Sequence, residues 1–347
     1  MATASVAITG RRSGNCRVSP AVAEKIKQAA HELHYRPNLQ ARNLSTQRTH
    51  TVAILIKRAA WHNAMFYVPD IQKVLRQANL AEMCILYPDN ELERERENLD
   101  LCVSRRVEGI ITWPIIDVHG KANCDLFNQI HQQEQIPIVQ LGLAVAGCVS
   151  PAVVSDEAQG VADAVRWLHS LGHRRIAHAT IPGFDNPEPL NSHREAHLRY
   201  QGYRRAMAEL RLTELVFASQ EPTLTLDAQF EAGLELAGRI VQRDPAKRPT
   251  AVIAFNDFLA TGLMKGSIRA GISIPQQMSV MGVGKQAFGK MLTPALTSII
   301  PAYEKMAELA TQTMLKLIAG EEVPAHTALV PTRADRDSVA PPPADSH

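Results

Sequence analysis

Basic side chains are concentrated at the start of this 347-residue chain. The first 50 residues contain eight arginines and lysines against two glutamates, a net charge of +6, whereas the rest contains 29 basic and 33 acidic residues, a net charge of −4. The basic positions are Arg11, Arg12, Arg17, Lys25, Lys27, Arg36, Arg42 and Arg48. This asymmetry indicates a polyanionic partner, most often nucleic acid; the alternative interpretation is an ordinary solvated basic surface.

Other residue types offer little support for metal or enzyme chemistry. His193 and His197 form a histidine pair at helical spacing, but the neighbouring arginines favour a polar helix face. The chain contains no P-loop, no G-x-G-x-x-G after its first strand and no G-x-S-x-G. The five cysteines are dispersed without a C-x-x-C pair, so structural thiols are expected at Cys16, Cys84, Cys102, Cys124 and Cys148. We therefore expect no metal, no cofactor and no enzymatic activity.

From residue 51 onwards, short apolar runs alternate with longer amphipathic segments, which is typical of strand–helix units in parallel sheets. The predicted strands are Val52–Ile56, Met83–Tyr87, Gly109–Trp113, Ile136–Leu141, Ala152–Ser155, Arg175–Thr180, Leu215–Ala218, Ala251–Phe255, Ser279–Val283 and Thr297–Ile300. The predicted helices are residues 91–105, 157–171, 194–210, 228–242, 257–270 and 303–318. So many strands favour an α/β fold with two doubly wound parallel sheets, in which ligands bind outside the carboxyl ends of the strands.

Two glycine- and proline-containing stretches, residues 147–151 and 282–294, are predicted to carry the chain between the two lobes. The final helix then returns to the first lobe. The proline-rich end is expected to be disordered from about residue 341. No run of about 18 apolar residues occurs. At the N-terminus the arginines follow the short apolar run, whereas in a secretory signal basic residues precede it, so a cytoplasmic protein without membrane contact is expected.

A short helical module precedes the first strand. Ser19 is suited to cap a helix that has Pro20 at its first position, where proline loses no hydrogen bond. Apolar residues then recur at helical spacing, namely Val22, Ile26, Ala29, Ala30 and Leu33. A Pro-Asn pair at residues 37–38 interrupts the pattern before the first strand begins.

Six segments resemble the LacI/GalR family of bacterial transcription regulators, and the resemblance extends from Thr3 to Pro342. In chain order they are RVSPAVAEKIKQAAHELHYRPNLQARNL, ELERERENLDLCVSRRVEGIITWP, HSLGHRRIAHAT, RYQGYRRAM, AVIAFNDFLATGLMKGSIRAGISIPQQMSVMGV and LTPALTSIIPAYEKMAELATQTMLKLIAG. The resemblance implies a two-lobed body like that of periplasmic binding proteins, preceded by an all-α helix-turn-helix domain and a hinge helix.

In this family the helix-turn-helix reads the major groove of DNA and the hinge helix enters the minor groove. The matching hinge is PNLQARNLS, in which Leu44 would act as the apolar wedge that kinks a central base step. The alternative is that Leu44 packs on the body. The complete set of DNA-contacting residues implied by the resemblance is Thr3, Ser5, Arg11, Arg12, Arg17, Tyr35, Asn38, Ala41, Arg42 and Leu44.

The start of the chain departs from the family pattern. Residues 3–9, TASVAIT, resemble the body of the recognition helix, but nothing before them corresponds to the first helix and turn. An isolated helix of that length is marginally stable, so the domain is expected to be partial. We expect a reading frame that begins upstream of Met1. The alternative is a protein that has lost a complete helix-turn-helix domain. The chain as written is expected to bind DNA weakly and with little specificity.

The resemblance also implies a small effector, often a sugar, between the two lobes. Arg199 is suited to hydroxyl or carboxylate recognition, with a surface salt bridge as the alternative. Asn256 and Asp257 are suited to adjacent hydroxyls, although a carboxylate at residue 257 would equally suit a helix cap. An aromatic wall is expected at Tyr303. For Trp113, the two interpretations as a platform for the ligand and as a core residue have equal support.

Two departures bear on the effector. Gly282-Val283-Gly284-Lys285 stands where the family frequently has G-F-D-D, and Gly142 stands where several sugar-binding relatives have an aspartate. The loss of these acceptors, with Lys285 gained as a further effector-binding residue, favours a more acidic or smaller ligand, or a weakened site.

The predicted domains are residues 1–36 for the partial DNA-binding domain, 37–50 for the hinge, 51–340 for the effector-binding body and 341–347 for the tail. Lobe 1 is predicted at about 51–149 plus 295–322, and lobe 2 at about 150–290 plus 324–340. The resemblance implies a homodimer, with helices 65–80 and 257–270 as candidate contacts, that binds a pseudo-palindromic operator. The alternative function is a free-standing sugar-binding protein that has lost sequence-specific DNA binding.

Overall fold

The computed structural model describes residue 7 and residues 18–35, 48–57, 61–87, 92–115, 121–145, 147–186, 192–220 and 225–344. The chain divides into two compact units, Met1–Thr49 and His50–His347. The second unit contains two six-stranded sheets flanked by helices, as the alternating sequence pattern predicts.

In the first unit, helix α1 spans Pro20–Glu32. Ser19 precedes it in an extended conformation and its side chain accepts a hydrogen bond from the Val22 N–H, which confirms the predicted cap. None of the residues of α1 is buried, and Leu33 and Tyr35 just beyond its end are 78% and 57% exposed. The apolar side of α1 therefore has no cover within the described part of this unit.

The first sheet of the second unit has the strand order β11-β5-β4-β3-β1-β2, and every neighbouring pair is parallel. These strands are β1 Thr51–Lys57, β2 Ala81–Tyr87, β3 Gly109–Thr112, β4 Ile138–Gly142, β5 Ala152–Ser155 and β11 His326–Leu329. The accompanying helices are α2 Trp61–Gln77, α3 Leu92–Ser104, α4 Lys121–Gln129 and α9 Tyr303–Ile318. A π-helical turn, Ile130–Glu134, extends α4.

The second sheet has the order β12-β10-β9-β8-β6-β7, in which only the β10–β12 pair is antiparallel. These strands are β6 Ile176–Thr180, β7 Leu215–Ala218, β8 Ala251–Ala254, β9 Ser279–Val283, β10 Thr297–Ile300 and β12 Thr332–Ala334. The accompanying helices are α5 Glu157–Ser170, α6 Ser192–Glu209, α7 Leu226–Val241 and α8 Asp257–Arg269. Short 3-10 turns lie at Pro245–Lys247 and Ala287–Lys290.

Each sheet has an apolar core on both faces. Ile111 and Leu141 contribute to one face of the first sheet, and Ile110 and Ile138 to the other. The second sheet is covered in the same way by α7 and α8 on one side and by α5 and α6 on the other. Strands buried on both faces explain the nearly continuous apolar runs in the sequence.

The sheets divide the chain at points that differ from the predicted lobe bounds. β5 pairs with β4 in the first sheet, although residue 150 onwards was assigned to lobe 2, and β10 lies in the second sheet. The connection from β4 to β5 stays in one lobe because the buried Gln140 side chain donates to the Ser150 carbonyl and accepts from the Val145 N–H. The absence of a helix in this connection therefore did not signal a change of sheet.

The chain crosses between the sheets three times. The crossings lie at Asp156 after β5, at Pro301–Ala302 before α9, and at Val330–Pro331 between β11 and β12. The first crossing is tied to the end of β11, because the Asp156 N–H donates to the Leu329 carbonyl at 2.8 Å.

The C-terminal segment is described as far as Ala344. Ser338 accepts a hydrogen bond from the Thr297 N–H through its hydroxyl, and its carbonyl accepts from the Val280 N–H. Pro342, in the segment for which disorder is expected from residue 341, lies against Gly172. No helix within the described ranges combines the length and the apolar character needed to cross a membrane.

Candidate ligand-binding cleft

The carboxyl ends of the parallel strands converge on one region, as expected for open α/β sheets. In the first sheet, Lys57 ends β1, Trp113 follows β3 and Ser155 ends β5. In the second sheet, Asn256 follows β8 and Gly284 follows β9. Side chains from the two sheets meet here, so this region is the candidate cleft.

Arg199, on α6, is buried and contacts several protein groups. Its Nε donates to Glu157 Oε2 at 2.9 Å and one terminal nitrogen donates to the Phe255 carbonyl at 2.6 Å. The other terminal nitrogen is 3.8 Å from Glu195. The guanidinium also lies over the Phe255 ring, 4.9 Å from its centroid. The salt bridge left open by the sequence is present, and it is buried instead of exposed at the surface.

The helix cap that the sequence offered as an alternative role for Asp257 belongs to Asn256. Asn256 is the cap of α8, because its side-chain oxygen accepts from the Leu259 N–H at 2.9 Å, and its amide donates to Gln229 Oε1 at 2.6 Å. The suggestion that Asp257 is the helix cap is therefore wrong. The buried Asp257 carboxylate instead accepts from the Ser298 hydroxyl at 2.9 Å and from the Gln286 N–H at 3.1 Å.

Gly282 and Gly284, the second of which stands at a family carboxylate position, make room for Asp257. A Cβ at Gly282 would overlap Asp257 Oδ1, and a Cβ at Gly284 would lie 2.9 Å from Oδ2. Gly284 also has a φ of +143°, which other residues rarely adopt. Burial raises the pKa of Asp257, and its hydrogen bonds act in the opposite direction. One buried carboxylate thus occupies the space that side chains at residues 282 and 284 would need.

Lys285 makes contacts between the lobes. It follows β9 of the second sheet, whereas its ion-pair partner Glu304 belongs to α9, which packs on the first sheet. Its ammonium also lies 5.7 Å from the ring centroid of Phe66 on α2. The positive charge of Lys285, which the sequence analysis assigned to effector binding, is therefore paired with the Glu304 carboxylate.

We expect the Lys285–Glu304 pair to contribute about 0.2–1 kcal/mol, because both side chains are partly exposed and solvent screens the attraction. Lys285→Glu should lower the free energy of unfolding, and adding Glu304→Lys should recover part of the loss. Urea denaturation of both single variants and the double variant at low and high salt measures this coupling. Strictly additive effects of the two changes would show that the pair contributes nothing.

Aromatic side chains form one wall of the cleft. Tyr303 stacks on Phe66 at a centroid distance of 5.2 Å and meets Tyr67 edge-on at 5.1 Å, and its hydroxyl is 3.4 Å from Asn63 Oδ1. Trp113 meets the other edge of Tyr67 at 4.8 Å. Trp113 and Tyr303 are both buried in the core of the first lobe. The sequence placed Tyr303 and Trp113 near the cleft but did not reveal Phe66 and Tyr67 from α2.

Several charged residues of this region were missed by the sequence analysis. Lys57 is buried at the end of β1 and its Nζ donates to the Pro114 carbonyl at 3.0 Å. Burial lowers the pKa of Lys57 to about 8, although Glu195 and Glu95 act in the opposite direction. Burial raises the pKa of Glu95 to about 7, against the hydrogen bond from the Ile115 N–H. A lysine that directly ends an apolar run was the available signal.

A cavity of about 280 Å³ opens beside the Arg199 cluster. The ends of β4 and β5 line it, together with the first turns of α5 and α6 and part of β11. The lining includes Ser155, Asp156, Glu157, Arg194 and Glu195. The first-lobe aromatic residues and Asn256 are absent from this lining.

The predicted DNA-contacting residues are almost all outside the described residues. Those outside are Thr3, Ser5, Arg11, Arg12, Arg17, Asn38, Ala41, Arg42 and Leu44. Tyr35 is described and is exposed. In the described ranges, no group of three or more histidine, cysteine, aspartate or glutamate side chains is placed to hold a metal ion.

Comparisons with known proteins extend these observations. A family model described as "Periplasmic binding protein-like domain" matches residues 165–339, half of the chain. The HTH-type transcriptional regulator AscG of Escherichia coli (strain K12) is 28% identical over 323 residues, covering 91% of this chain and 89% of the relative. The HTH-type transcriptional regulator GalS of Salmonella typhimurium (strain LT2) is 28% identical over 344 residues, covering 97% and 93%.

Solved structures show the same fold. The structure described as the lac repressor dimer bound to operator and the anti-inducer ONPF has a TM-score of 0.80 at 18% identity, covering 97% of this chain and 94% of that chain. Identity at this level establishes the fold alone. AscG and GalS are named as transcriptional regulators and not as enzymes.

Proposed function

The chain belongs to the LacI/GalR family of transcriptional regulators, and we propose that it is a ligand-responsive DNA-binding regulator, most simply a repressor. The observation that carries the proposal is the direct join between a basic segment of net charge +6 and a two-sheet body whose strand ends form a cleft. A regulator that binds chromosomal DNA would act in the cytoplasm.

The DNA-binding half of the proposal assigns backbone contacts to the arginines of the first 50 residues and the minor-groove wedge to Leu44. A homodimer would place two such segments on a pseudo-palindromic operator. The lac repressor dimer, which has the same fold, is bound to operator in the solved structure. Met65 on α2 is 66% exposed and Ile268 on α8 is 45% exposed, which supports these helices as dimer contacts.

The ligand-binding half assigns the cleft to a small effector of the sugar class. We assign effector contact or closure around the effector to Arg199, Asn256, Asp257, Tyr303, Trp113 and Lys285. Each lies at a strand end or on a helix that begins there. Because the Arg199 guanidinium is held by Glu157 and a carbonyl, we assign it the role of orienting neighbouring groups.

We expect affinity for duplex DNA to depend strongly on salt, since positive side chains release counterions from the phosphates they neutralise. If about six phosphates are contacted, the affinity should fall about 10³-fold between about 50 and 200 mM salt. Fluorescence anisotropy with a duplex selected from a random pool measures this dependence, and light scattering of the same samples should report a dimer.

Matched variants locate the responsible charges. Arg42→Gln should reduce the slope of log affinity against log salt by about one. Arg105→Gln, which changes an exposed arginine of the body, should leave the slope unchanged. DNA binding that is absent, or insensitive to salt, while ligands still bind would instead support the free-standing sugar-binding protein.

A further inference from the structure

The cavity beside Arg199 contains more negative than positive side chains. Asp156, Glu157 and Glu195 line it, and Arg194 is the positively charged residue of the lining. Asp156 is used in part as the cap of α5, accepting from the Gln159 N–H at 3.0 Å. The first turns of two helices meet here, and their positive ends would attract anions, but these carboxylates already occupy those ends.

The nearby cations are engaged with protein groups. Arg199 donates to Glu157 and to the Phe255 carbonyl, so its two best-directed N–H groups are unavailable to an anionic ligand. Lys57 donates to the Pro114 carbonyl, and Lys285 pairs with Glu304. An acidic ligand, which the sequence favoured, would find these charges already paired.

Glu195 has capacity for a further partner. Its side chain is 26% exposed, and its ion pair with Arg199 is long, at 3.8 Å, because the guanidinium is directed towards Glu157. Burial raises the pKa of Glu195, which means that its negative charge lacks full stabilisation in the ligand-free protein. A cation entering the cavity would supply that stabilisation.

Ser155 provides an independent indication of a ligand. It lines the same cavity, is 8% exposed, and its buried hydroxyl has no hydrogen-bond partner among the described residues. Ten buried side-chain atoms of the described residues lack a partner, and the Ser155 hydroxyl is the one that belongs to the lining of this cavity. An unsatisfied buried hydroxyl is costly. A polar group of a ligand would satisfy it.

We propose that this cavity binds a small hydroxylated ammonium compound of the amino-sugar class, with the ammonium against Glu195 and a hydroxyl on Ser155. The proposal rests on the proposed function in that it places this compound as the effector. None of the six residues assigned to the effector above lines this cavity, so with this compound their role is closure of the lobes around it. The volume of about 280 Å³ lies at the low end for ligand sites and suits a single sugar ring.

Isothermal titration calorimetry of the full chain with four probes tests the ligand class. The probes are glucosamine, its neutral relative N-acetylglucosamine, glucose and glucuronate. Glucosamine should bind at least about tenfold more tightly than the neutral sugars, and glucuronate should bind most weakly. Tightest binding of glucuronate, equal binding of glucose and glucosamine, or no binding of any probe would each overturn the proposal.

Two variants test the assigned residues. Glu195→Gln should abolish the preference for glucosamine over glucose, whereas Ser155→Ala should weaken both sugars and keep the preference. Glu321→Gln, which changes an exposed glutamate outside the cavity, is the matched control and should bind as the unaltered protein does. A preference that survives in Glu195→Gln contradicts the assignment, and Ser155→Ala keeps the test decisive if Glu195→Gln does not fold.

DNA anisotropy with and without glucosamine separates this proposal from the proposed function. Glucosamine binding that leaves DNA affinity unchanged would refute its role as effector while retaining the ligand class. Normal DNA binding without glucosamine binding would refute the ligand class and leave the regulator intact.

Discussion

Arg199→Met should lower the free energy of unfolding by about 3–5 kcal/mol at neutral pH, because it leaves the buried Glu157 and the partly buried Glu195 without their shared cation. Arg199 also lowers the pKa of Glu195 against the larger effect of burial, so its removal raises that pKa further. A carboxylate with a raised pKa in the folded state favours folding at acid pH and loses that contribution as pH rises through its folded pKa. The cost of the substitution should therefore be greater at pH 8 than at pH 5.

Urea denaturation of the variants at both pH values measures this effect. Arg205→Met is the matched control, since Arg205 lies on the same helix with 47% of its side chain exposed, and it should cost about 1 kcal/mol or less. Adding Glu157→Gln to Arg199→Met should restore part of the stability. Equal effects of the Arg199 and Arg205 substitutions would show that the buried cluster is not a source of stability.

Gly142→Ala should lower the free energy of unfolding by about 2–5 kcal/mol, combining backbone strain with overpacking. Gly142 has a φ of +83°, and a Cβ there would lie 2.5 Å from Cζ2 of Trp113. An aspartate at this position, as in several sugar-binding relatives, would meet the same obstacle. The glycine at residue 142 and the position of Trp113 are therefore linked.

Gly271→Ala provides a closely matched control. Gly271 has the same φ of +83°, but nothing lies within 4 Å of a Cβ built on it, so the substitution should cost only the backbone strain of about 1–2 kcal/mol. Thermal and urea denaturation of both variants give the difference. If the two substitutions cost the same, Trp113 yields without penalty and the steric explanation for Gly142 fails.

The sequence predicted the strands of the two sheets well where they are apolar and buried. All ten predicted strands are present with small shifts at their ends, whereas β11 and β12 were missed. These two strands have four and three residues, and most of their side chains are exposed or half-buried. Such short edge strands carry no hydrophobic period, and their pairing is fixed by contacts with distant strands.

The cleft was predictable in position but not in its connections. Asn256, Asp257 and Tyr303 were placed at strand ends by local pattern and resemblance. The Asn256 side chain that caps α8 is also held by its hydrogen bond to Gln229, and the Lys285 charge is paired with Glu304. These partners lie on other elements, so a reading of local spacing does not reveal them.

The three crossings between the sheets restrict how the lobes can move. Three covalent connections in one region oppose sliding of one lobe along the other, and Pro301 and Pro331 remove backbone freedom from two of them. Bending about the crossings is the relative motion that these connections restrict least. A small displacement at a ligand beside the crossings becomes a larger arc at the far ends of the lobes, so the magnitude of a response depends on distance from this axis.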